Sequence, residues 1–221
     1  MKIKACIALI LALLCPALAL AETAAPMAVS EEAAMQLYAP VLDTYRAAVT
    51  EGWDMEKIDE HDLSYVLAYL GDMGETLGYR LMDIDQDGSP ELLIGLAADR
   101  EGLRENILGL YTLVDYAPKQ VCKGWERNSY DLLDDMTILN HGSNSAFSGG
   151  TILWKLENGQ LVALDAVIHD YEKDENNPYF RTDGSWEAAD GEPISNEEAE
   201  GLLSQWESRY MAIGYLPLIE E

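Results

Sequence analysis

The spacing of apolar residues changes along the chain, and this change predicts where helices give way to strands. In the segment that follows Ser30, apolar residues recur three and four positions apart: Leu37, Val41, Tyr45 and Ala48. This spacing predicts an amphipathic helix, with Ser30 as its cap and a kink or break at Pro40. The same spacing predicts a second helix from about Glu60 to Leu70.

From Tyr79 onward the pattern becomes that of short strands separated by turns. "GYRLMDI", "PELLIGLA" and "ILGLYTLV" are the first three of these segments. Further along, Asn158-Gly159 separates "ILWKLE" from "QLVALDAVI" and is the strongest hairpin signal in the chain. Because the strands are short and closely connected, we expect them to pair antiparallel.

Helical spacing returns near the end of the chain, in the segment "ISNEEAEGLLSQWESRYMAI". Ser195 or Asn196 is the expected cap, and the apolar face comprises Leu202, Leu203, Trp206 and Tyr210. The whole pattern therefore predicts an α+β fold. Its expected parts are two N-terminal helices, an antiparallel β-sheet or open barrel, and a C-terminal helix.

The first 21 residues have the features of a signal peptide. Lys2 and Lys4 precede an apolar stretch from Ala5 to Leu14, and Ala19-Leu20-Ala21 forms a cleavage site. We predict cleavage after about Ala21, a flexible leader over 22–30 and a single α+β domain over 31–221. The product is expected to be secreted or held at the cell surface. No later apolar run approaches the roughly 20 residues needed to cross a bilayer, so we expect no membrane insertion after signal removal.

Cysteine content and charge limit the possible stabilising features and partners. Loss of the signal would leave Cys122 as the one cysteine, which excludes an internal disulfide. The chain carries a formal charge of −26, and removal of the two signal lysines makes it more negative still. Such a charge repels nucleic acid and anionic lipid. We expect a monomer whose partner, a protein or a glycan, the sequence does not identify.

The stretch "DIDQDGSPE" concentrates negative charge in one short loop. Asp83, Asp85 and Asp87 alternate, Gly88 follows where a sharp turn needs glycine, and Glu91 closes the stretch. Calcium takes about 6 to 8 oxygen ligands, and tightly curved loops supply them from alternate residues. We therefore predict a Ca²⁺ site formed by the side chains of Asp83, Asp85, Asp87 and Glu91 and the carbonyl of Ser89.

The flanking residues place this loop at the tip of a β-hairpin. In a helix-loop-helix calcium site the twelfth loop residue is a carboxylate, whereas here the twelfth residue from Asp83 is Ile94. Magnesium is a weaker prediction because it prefers fewer protein ligands, and zinc would need His or Cys nearby. A metal-free turn remains the alternative, since Asp also caps turns.

The loop resembles the calcium-binding hairpin loops of the FG-GAP repeats in integrin-type propellers, whose pattern is D-x-D-x-D-G-x-x-D. Glu91 departs from that pattern, where the last position is Asp, and the single copy extends the resemblance to the hairpin alone. Three segments carry a wider resemblance: "GYRLMDIDQDGSPELLIG", "YDLLDDMTILNHGSNSAFSGGTILWKLENGQLVALDAVIHDY" and "ISNEEAEGLLSQWESRY". Through them the whole mature chain is similar to a group of uncharacterised exported proteins of Gram-positive gut-type bacteria. That resemblance implies an exported α+β protein with a calcium loop and supplies no catalytic residues.

Two functions are weighed from these observations. The first is a binding or interaction module with a structural calcium site, and it predicts no catalytic residue. The alternative is a secreted, glycan-directed hydrolase that uses paired carboxylates. Its candidate acids are Asp131, Asp134, Asp135, Glu172 and Asp174. A serine-type triad is a separate alternative, with His141, Ser143, Ser145, Ser148 and His169 as its candidate residues. Asp170 to Asp174 is a weaker candidate for a second cation site, and Trp186 is the expected exposed aromatic anchor.

Overall fold

The computed structural model describes residues 28–70, 76–97 and 104–219. Within these ranges the chain is an α+β protein with three α-helices and eleven strands in two antiparallel sheets. The α+β prediction is confirmed. The predicted signal peptide over 1–21 and most of the predicted leader lie outside the described residues.

Helix α1 runs from Glu31 to Thr50 and covers one face of the first sheet. The Ser30 hydroxyl accepts a hydrogen bond from the Ala33 N–H at 3.3 Å, which satisfies one of the free donors of the first turn. Pro40 does not interrupt the helix. The buried residues of α1 recur three and four positions apart and so lie on one face of the helix: Ala34, Tyr38, Leu42, Tyr45 and Ala48.

The segment after α1 is shorter and more broken than its apolar spacing predicts. Helix α2 covers Met55–Glu60, and a 3₁₀ turn covers Tyr65–Tyr69. Between them Asp62 takes a φ of 53°, in the left-handed region. That conformation cannot continue a right-handed helix, so no continuous helix forms from Glu60 to Leu70.

The strands form a five-stranded and a six-stranded sheet. In chain order their bounds are β1 Thr76–Met82, β2 Glu91–Ala97, β3 Ile107–Val114, β4 Ala117–Lys123, β5 Asn128–Leu132, β6 Ile138–Ser143, β7 Ser148–Glu157, β8 Gln160–Asp170, β9 Tyr179–Thr182, β10 Glu192–Pro193 and β11 Leu216–Pro217. The first sheet has the order β11-β1-β2-β3-β4, and the second has the order β10-β9-β8-β7-β6-β5. The described strands thus form two sheets, whereas the sequence predicts one antiparallel sheet or an open barrel.

Alternating side chains of the first sheet belong to two different cores. Leu92 and Ile94 pack with the buried face of α1, whereas Leu93 between them packs with residues of the second sheet. Leu132 and Ile138 are among those partners. Because side chains alternate across a strand, this pattern shows that the first sheet is covered on one face by α1 and on the other by the second sheet.

Helix α3, Asn196–Glu207, covers the outer face of the second sheet. The Ser195 hydroxyl caps it by accepting from the Glu198 N–H at 3.1 Å. Trp206 is buried with sheet residues such as Leu139. Tyr210, predicted on the apolar face of this helix, lies beyond its end and bridges to Leu133.

The predicted Asn158-Gly159 hairpin forms between β7 and β8. Both residues have positive φ, 51° for Asn158 and 69° for Gly159, as a tight two-residue turn between twisted strands requires. In the described part of the chain, no helix combines the length and the apolar character needed to span a bilayer.

Candidate metal centre

The acidic loop joins β1 to β2 at the tip of an antiparallel hairpin. Met82 pairs with Glu91 across the two strands, so residues 83–90 form the connection. Gln86 and Gly88 take positive φ values of 62° and 90°. A Cβ on Gly88 would lie 2.9 Å from the Ala28 Cβ, so both backbone angle and packing favour glycine there.

Three carboxylates of the loop converge. Asp83, Asp85 and Glu91 each offer an oxygen, and these atoms lie within 4.8 Å of one another. Because calcium–oxygen distances are about 2.3–2.6 Å, two ligands of one ion stand up to about 5 Å apart. The spacing of the three oxygens is therefore compatible with shared coordination of one cation.

Glu91 is the buried member of the group, with 1% of its surface exposed. Its Oε2 accepts from the Ile84 N–H at 2.8 Å, and its Oε1 accepts from the Thr112 hydroxyl at 3.0 Å. Burial raises the pKa of Glu91 to about 7, with further increases from Asp85 and Asp87 that the two hydrogen bonds oppose. The ionised carboxylate thus lacks sufficient positive charge around it.

Asp83 and Asp85 each hold one oxygen in a turn hydrogen bond. Asp83 Oδ2 accepts from the Gly88 N–H at 3.1 Å, and Asp85 Oδ1 accepts from the Asp87 N–H at 3.2 Å. Asp83 Oδ1 is buried and has no hydrogen-bond partner among the described residues. Burial raises the pKa of Asp85, and the charges of Asp87 and Asp83 raise it further. A buried acceptor without a donor is costly, and a cation would satisfy it.

Of the other two predicted ligands, Asp87 lies outside this group of three carboxylates, and Ser89 is predicted to bind through its backbone carbonyl. Asp87 is exposed, and its Oδ1 accepts from the Ser89 N–H at 2.7 Å. The Ser89 hydroxyl accepts from the Val29 N–H at 3.2 Å and so attaches the loop to the segment before α1. The Asp87 carboxylate and the Ser89 hydroxyl therefore have roles in the turn itself, and coordination by the Ser89 carbonyl stays a prediction.

Two further residues hold the site and are not predicted from the sequence. Thr112 on β3 supports Glu91, and the Tyr38 hydroxyl on α1 lies 3.2 Å from the Pro90 carbonyl and 3.1 Å from the Tyr111 carbonyl. Burial raises the pKa of Tyr38, and the nearby Glu91 charge adds to the effect. Both residues are distant in sequence, and no local spacing identifies them.

The second alternating acidic stretch forms turn caps. Asp170 Oδ1 accepts from the N–H groups of Glu172 and Lys173, and Asp174 Oδ1 accepts from those of Asn176 and Asn177. Over the described ranges, these acids form no further group with metal-ligand spacing. Asx-type turns account for their alternation.

Three of the five acids considered for a hydrolase pair with arginines. Asp131 lies 3.4 Å from Arg104 and 3.8 Å from His141 Nε2, while Asp134 and Asp135 contact Arg209. Burial raises the pKa of Asp131, and the charges of His141 and Arg104 oppose the increase. These pairings differ from two facing carboxylates with a water or sugar between them.

The triad candidates do not assemble around a histidine. His141 Nδ1 contacts the Thr151 hydroxyl at 3.1 Å, whereas the Ser145 and Ser148 hydroxyls lie 3.0 Å from each other. Ser143 donates to the Ser145 carbonyl. The serines therefore belong to the turn between β6 and β7. His169 instead lies beside the rings of Tyr171 and Tyr179.

The exposed aromatic residues differ from the predicted one. Trp186 is half-buried, and a Cβ on Gly142 would lie 2.4 Å from its ring. Tyr116 and Phe147 are the more exposed aromatics, at 56% and 54%. Trp186 is expected to be exposed because its neighbours in sequence are polar, but the glycine on β6 lets its ring pack against the second sheet.

Comparisons with protein-family models, with curated proteins and with solved structures found no match. The likenesses to exported proteins and to propeller hairpin loops therefore stay predictions from the sequence.

Proposed function

We propose that this protein binds calcium through Asp83, Asp85 and Glu91 and that the ion stabilises the β1–β2 hairpin. The observation that carries the proposal is the convergence of three carboxylate oxygens, one of them on the almost fully buried Glu91. Like charges this close are costly without a counter-ion. An ion among them would replace repulsion with attraction.

The ligand chemistry favours calcium over other common cations. All three groups are carboxylates, which suit hard cations, and the described residues place neither His nor Cys in the group. Calcium accepts irregular arrangements of 6 to 8 oxygens, whereas magnesium requires a near-octahedral set at about 2.1 Å. Three carboxylates on a strand and its adjoining loop fit the less demanding ion.

The proposed role of the ion is structural because the loop contacts several elements. Glu91 is hydrogen-bonded to Thr112 on β3, Ile84 lies in the core between the sheets, and Pro90 contacts Tyr38 on α1. Fixing this loop would therefore stabilise the neighbouring packing. An ion that binds only the folded state stabilises it by about 2.7 kcal/mol at a concentration a hundred times its Kd.

We further propose that the protein is exported and acts as a binding module for a protein or glycan partner. The signal-like residues 1–21, the formal charge of −26 and the calcium loop support this proposal together. Extracellular calcium modules work with a Kd of about 10⁻⁴ to 10⁻³ M, so the site would be occupied outside a cell and not inside it.

Thermal unfolding with calcium, with magnesium and with chelator tests the proposal. We expect calcium to raise the Tm more than magnesium does, and Asp85→Asn to remove the calcium effect. Asp87→Asn should retain most of it, because Asp87 lies outside the converging group. Asp174→Asn is the matched control, since Asp174 also caps a turn in an alternating acidic stretch. Equal Tm values for the unmodified protein under all three conditions would refute calcium binding.

A further inference from the structure

A cleft of about 600 Å³ lies next to the proposed calcium site. Three turns form its walls: the β1–β2 loop, the β3–β4 turn at Asp115-Tyr116, and the β7–β8 turn at Asn158-Gly159. Its volume lies within the range of about 300–1,000 Å³ that is typical of small-molecule sites. Asp85 is shared, because it lines the cleft and also belongs to the carboxylate group.

Direct contacts hold these turns together. The Lys119 ammonium on β4 donates to the Gly159 carbonyl at 3.1 Å. A Cβ on Gly159 would lie 3.0 Å from the Thr112 methyl group and 3.5 Å from a Val114 methyl group. The β7–β8 turn of the second sheet therefore rests on the end of β3. The cleft has walls from both sheets.

Tyr116 lines this cleft and takes an unfavourable backbone conformation there. Its φ is 62° and that of Asp115 is 51°, so this turn and the Asn158-Gly159 turn both have two successive residues with positive φ. Asn-Gly suits such a turn, whereas a bulky residue with positive φ is strained. Tyr116 is nevertheless 56% exposed as a residue, so packing does not account for a tyrosine at this position.

The charges around the cleft restrict what it can bind. As far as the structure describes the chain, its lining contains three acids, Asp85, Asp87 and Asp115, and no basic residue. Anionic ligands are therefore repelled. A calcium ion would offset two of the three negative charges of Asp83, Asp85 and ionised Glu91, so the cleft would stay net negative. Open coordination positions of the ion would then accept neutral oxygen ligands.

We infer that this cleft binds a neutral sugar in a calcium-dependent manner, with two adjacent hydroxyls of the sugar completing the coordination of the ion. The inference rests on the calcium site proposed above. Three carboxylates supply only part of the 6 to 8 oxygens that calcium takes, and Asp85 places the ion at the edge of the cleft.

The remaining lining groups suit the rest of a sugar ring. Asp87 and the Asn158 side chain accept hydrogen bonds from hydroxyls, and the amide of Asn158 also donates. The Tyr116 ring presents a flat apolar face to the C–H face of the sugar. An aromatic wall with a few polar groups and a metal is a common arrangement in small-molecule sites.

Saturation-transfer NMR on the full chain tests this inference, with D-glucose, D-galactose, D-mannose, L-fucose, maltose and cellobiose as probes. We expect at least one neutral sugar to bind in calcium and to be released by EGTA. Tyr116→Ala should weaken binding about tenfold, by loss of ring stacking. Phe147→Ala is the matched control, because Phe147 is 54% exposed and lies at the opposite end of β7. It should bind sugar as the unmodified protein does.

Calcium affinity, measured in parallel by isothermal titration, separates this inference from the proposed function. Calcium binding with no response to any sugar would overturn the inference and leave the metal site standing. Sugar binding that persists in EGTA, or that is equal in Tyr116→Ala, would also overturn it. Binding of hexalysine in place of the sugars would assign the cleft to a cationic partner instead. Absence of calcium binding would remove the metal site and the inference together.

Discussion

Replacing Glu91 with glutamine separates the charge of this residue from its shape. Glutamine retains the length of the side chain and an oxygen that accepts from the Ile84 N–H, and the Thr112 hydroxyl can rotate to accept from the new amide. At pH 8 and without metal, the unmodified protein carries a buried ionised carboxylate near Asp85 and Asp87. The variant removes that charge.

The expected effect in chelator follows from the pKa. Burial raises the pKa of Glu91 from 4.5 to about 7. In a protein without metal, the stability supplied by the neutral form is complete below pH 4.5 and is lost as pH rises through 7. One unit of pKa corresponds to about 1.4 kcal/mol, so ionisation at pH 8 costs at most about 3.5 kcal/mol. In chelator, Glu91→Gln should therefore increase the free energy of unfolding.

Calcium should reduce or remove the higher free energy of unfolding that Glu91→Gln has in chelator. At a hundredfold excess over Kd, the unmodified protein gains about 2.7 kcal/mol, whereas the variant has lost a ligand and should gain little. Urea unfolding at pH 8 in calcium and in EGTA measures both values. Glu105→Gln is the control, since Glu105 is also buried and accepts from the Gly214 N–H at 2.7 Å. It should leave the calcium gain intact.

An equal calcium gain for the unmodified protein and Glu91→Gln would refute the assignment of Glu91 as a ligand. Destabilisation of Glu91→Gln in chelator would contradict the electrostatic argument, because it would show that the ionised carboxylate is already well compensated. The two results address different steps, and the Glu105→Gln control separates them from a general effect of buried acids.

Three further predictions concern the turns and the cores. Tyr116→Gly should raise the free energy of unfolding by about 1 kcal/mol, because it relieves strain at a φ of 62°. Gly159→Ala should lower the free energy of unfolding, since φ is 69° and the new Cβ would lie 3.0 Å from the Thr112 methyl group. Urea unfolding measures both changes. Leu93→Ala should cost about 2–5 kcal/mol, because Leu93 is fully buried between the sheets, and Val162→Ala, at 42% exposure, should change stability by less than about 0.5 kcal/mol. Cys122 should react with Ellman's reagent only after unfolding, because burial raises the pKa of its thiol to about 12; rapid labelling of the folded protein would contradict this placement.

Local features of the fold follow from sequence because they depend on near neighbours. Asn158-Gly159 predicts its own turn, and Ser195 predicts the start of α3 three residues before the Glu198 N–H that it caps. The two-sheet arrangement depends on distant pairings instead. Between Lys123 and Asn128 the chain passes from the edge of one sheet to the edge of the other. The spacing of apolar residues does not indicate this change of sheet, since the strands before and after it show the same alternation of side chains.

In the candidate site, too, some residues can be predicted from local sequence and others depend on distant contacts. The alternation of Asp83 and Asp85 gives two of its three converging acids directly, and Glu91 follows from its position after the glycine turn. The outward placement of Asp87 is not readable from spacing, because it depends on the hydrogen bond that Asp87 accepts from the Ser89 N–H. Thr112 and Tyr38 join the site only through the pairing of β2 with β3 and the packing of α1.

The glutamate at the ninth position has a geometric reason. Glu91 is the first residue of β2, and its side chain lies on the same face as Leu93, toward the second sheet. A carboxylate fixed to a strand must reach back to the loop, and Glu91 does so to accept from the Ile84 N–H at 2.8 Å. A shift of β2 by one residue would turn this carboxylate toward α1 and separate it from Asp83 and Asp85. The proposed ion would therefore favour one register of β1 against β2, which links metal binding to the arrangement of the whole first sheet.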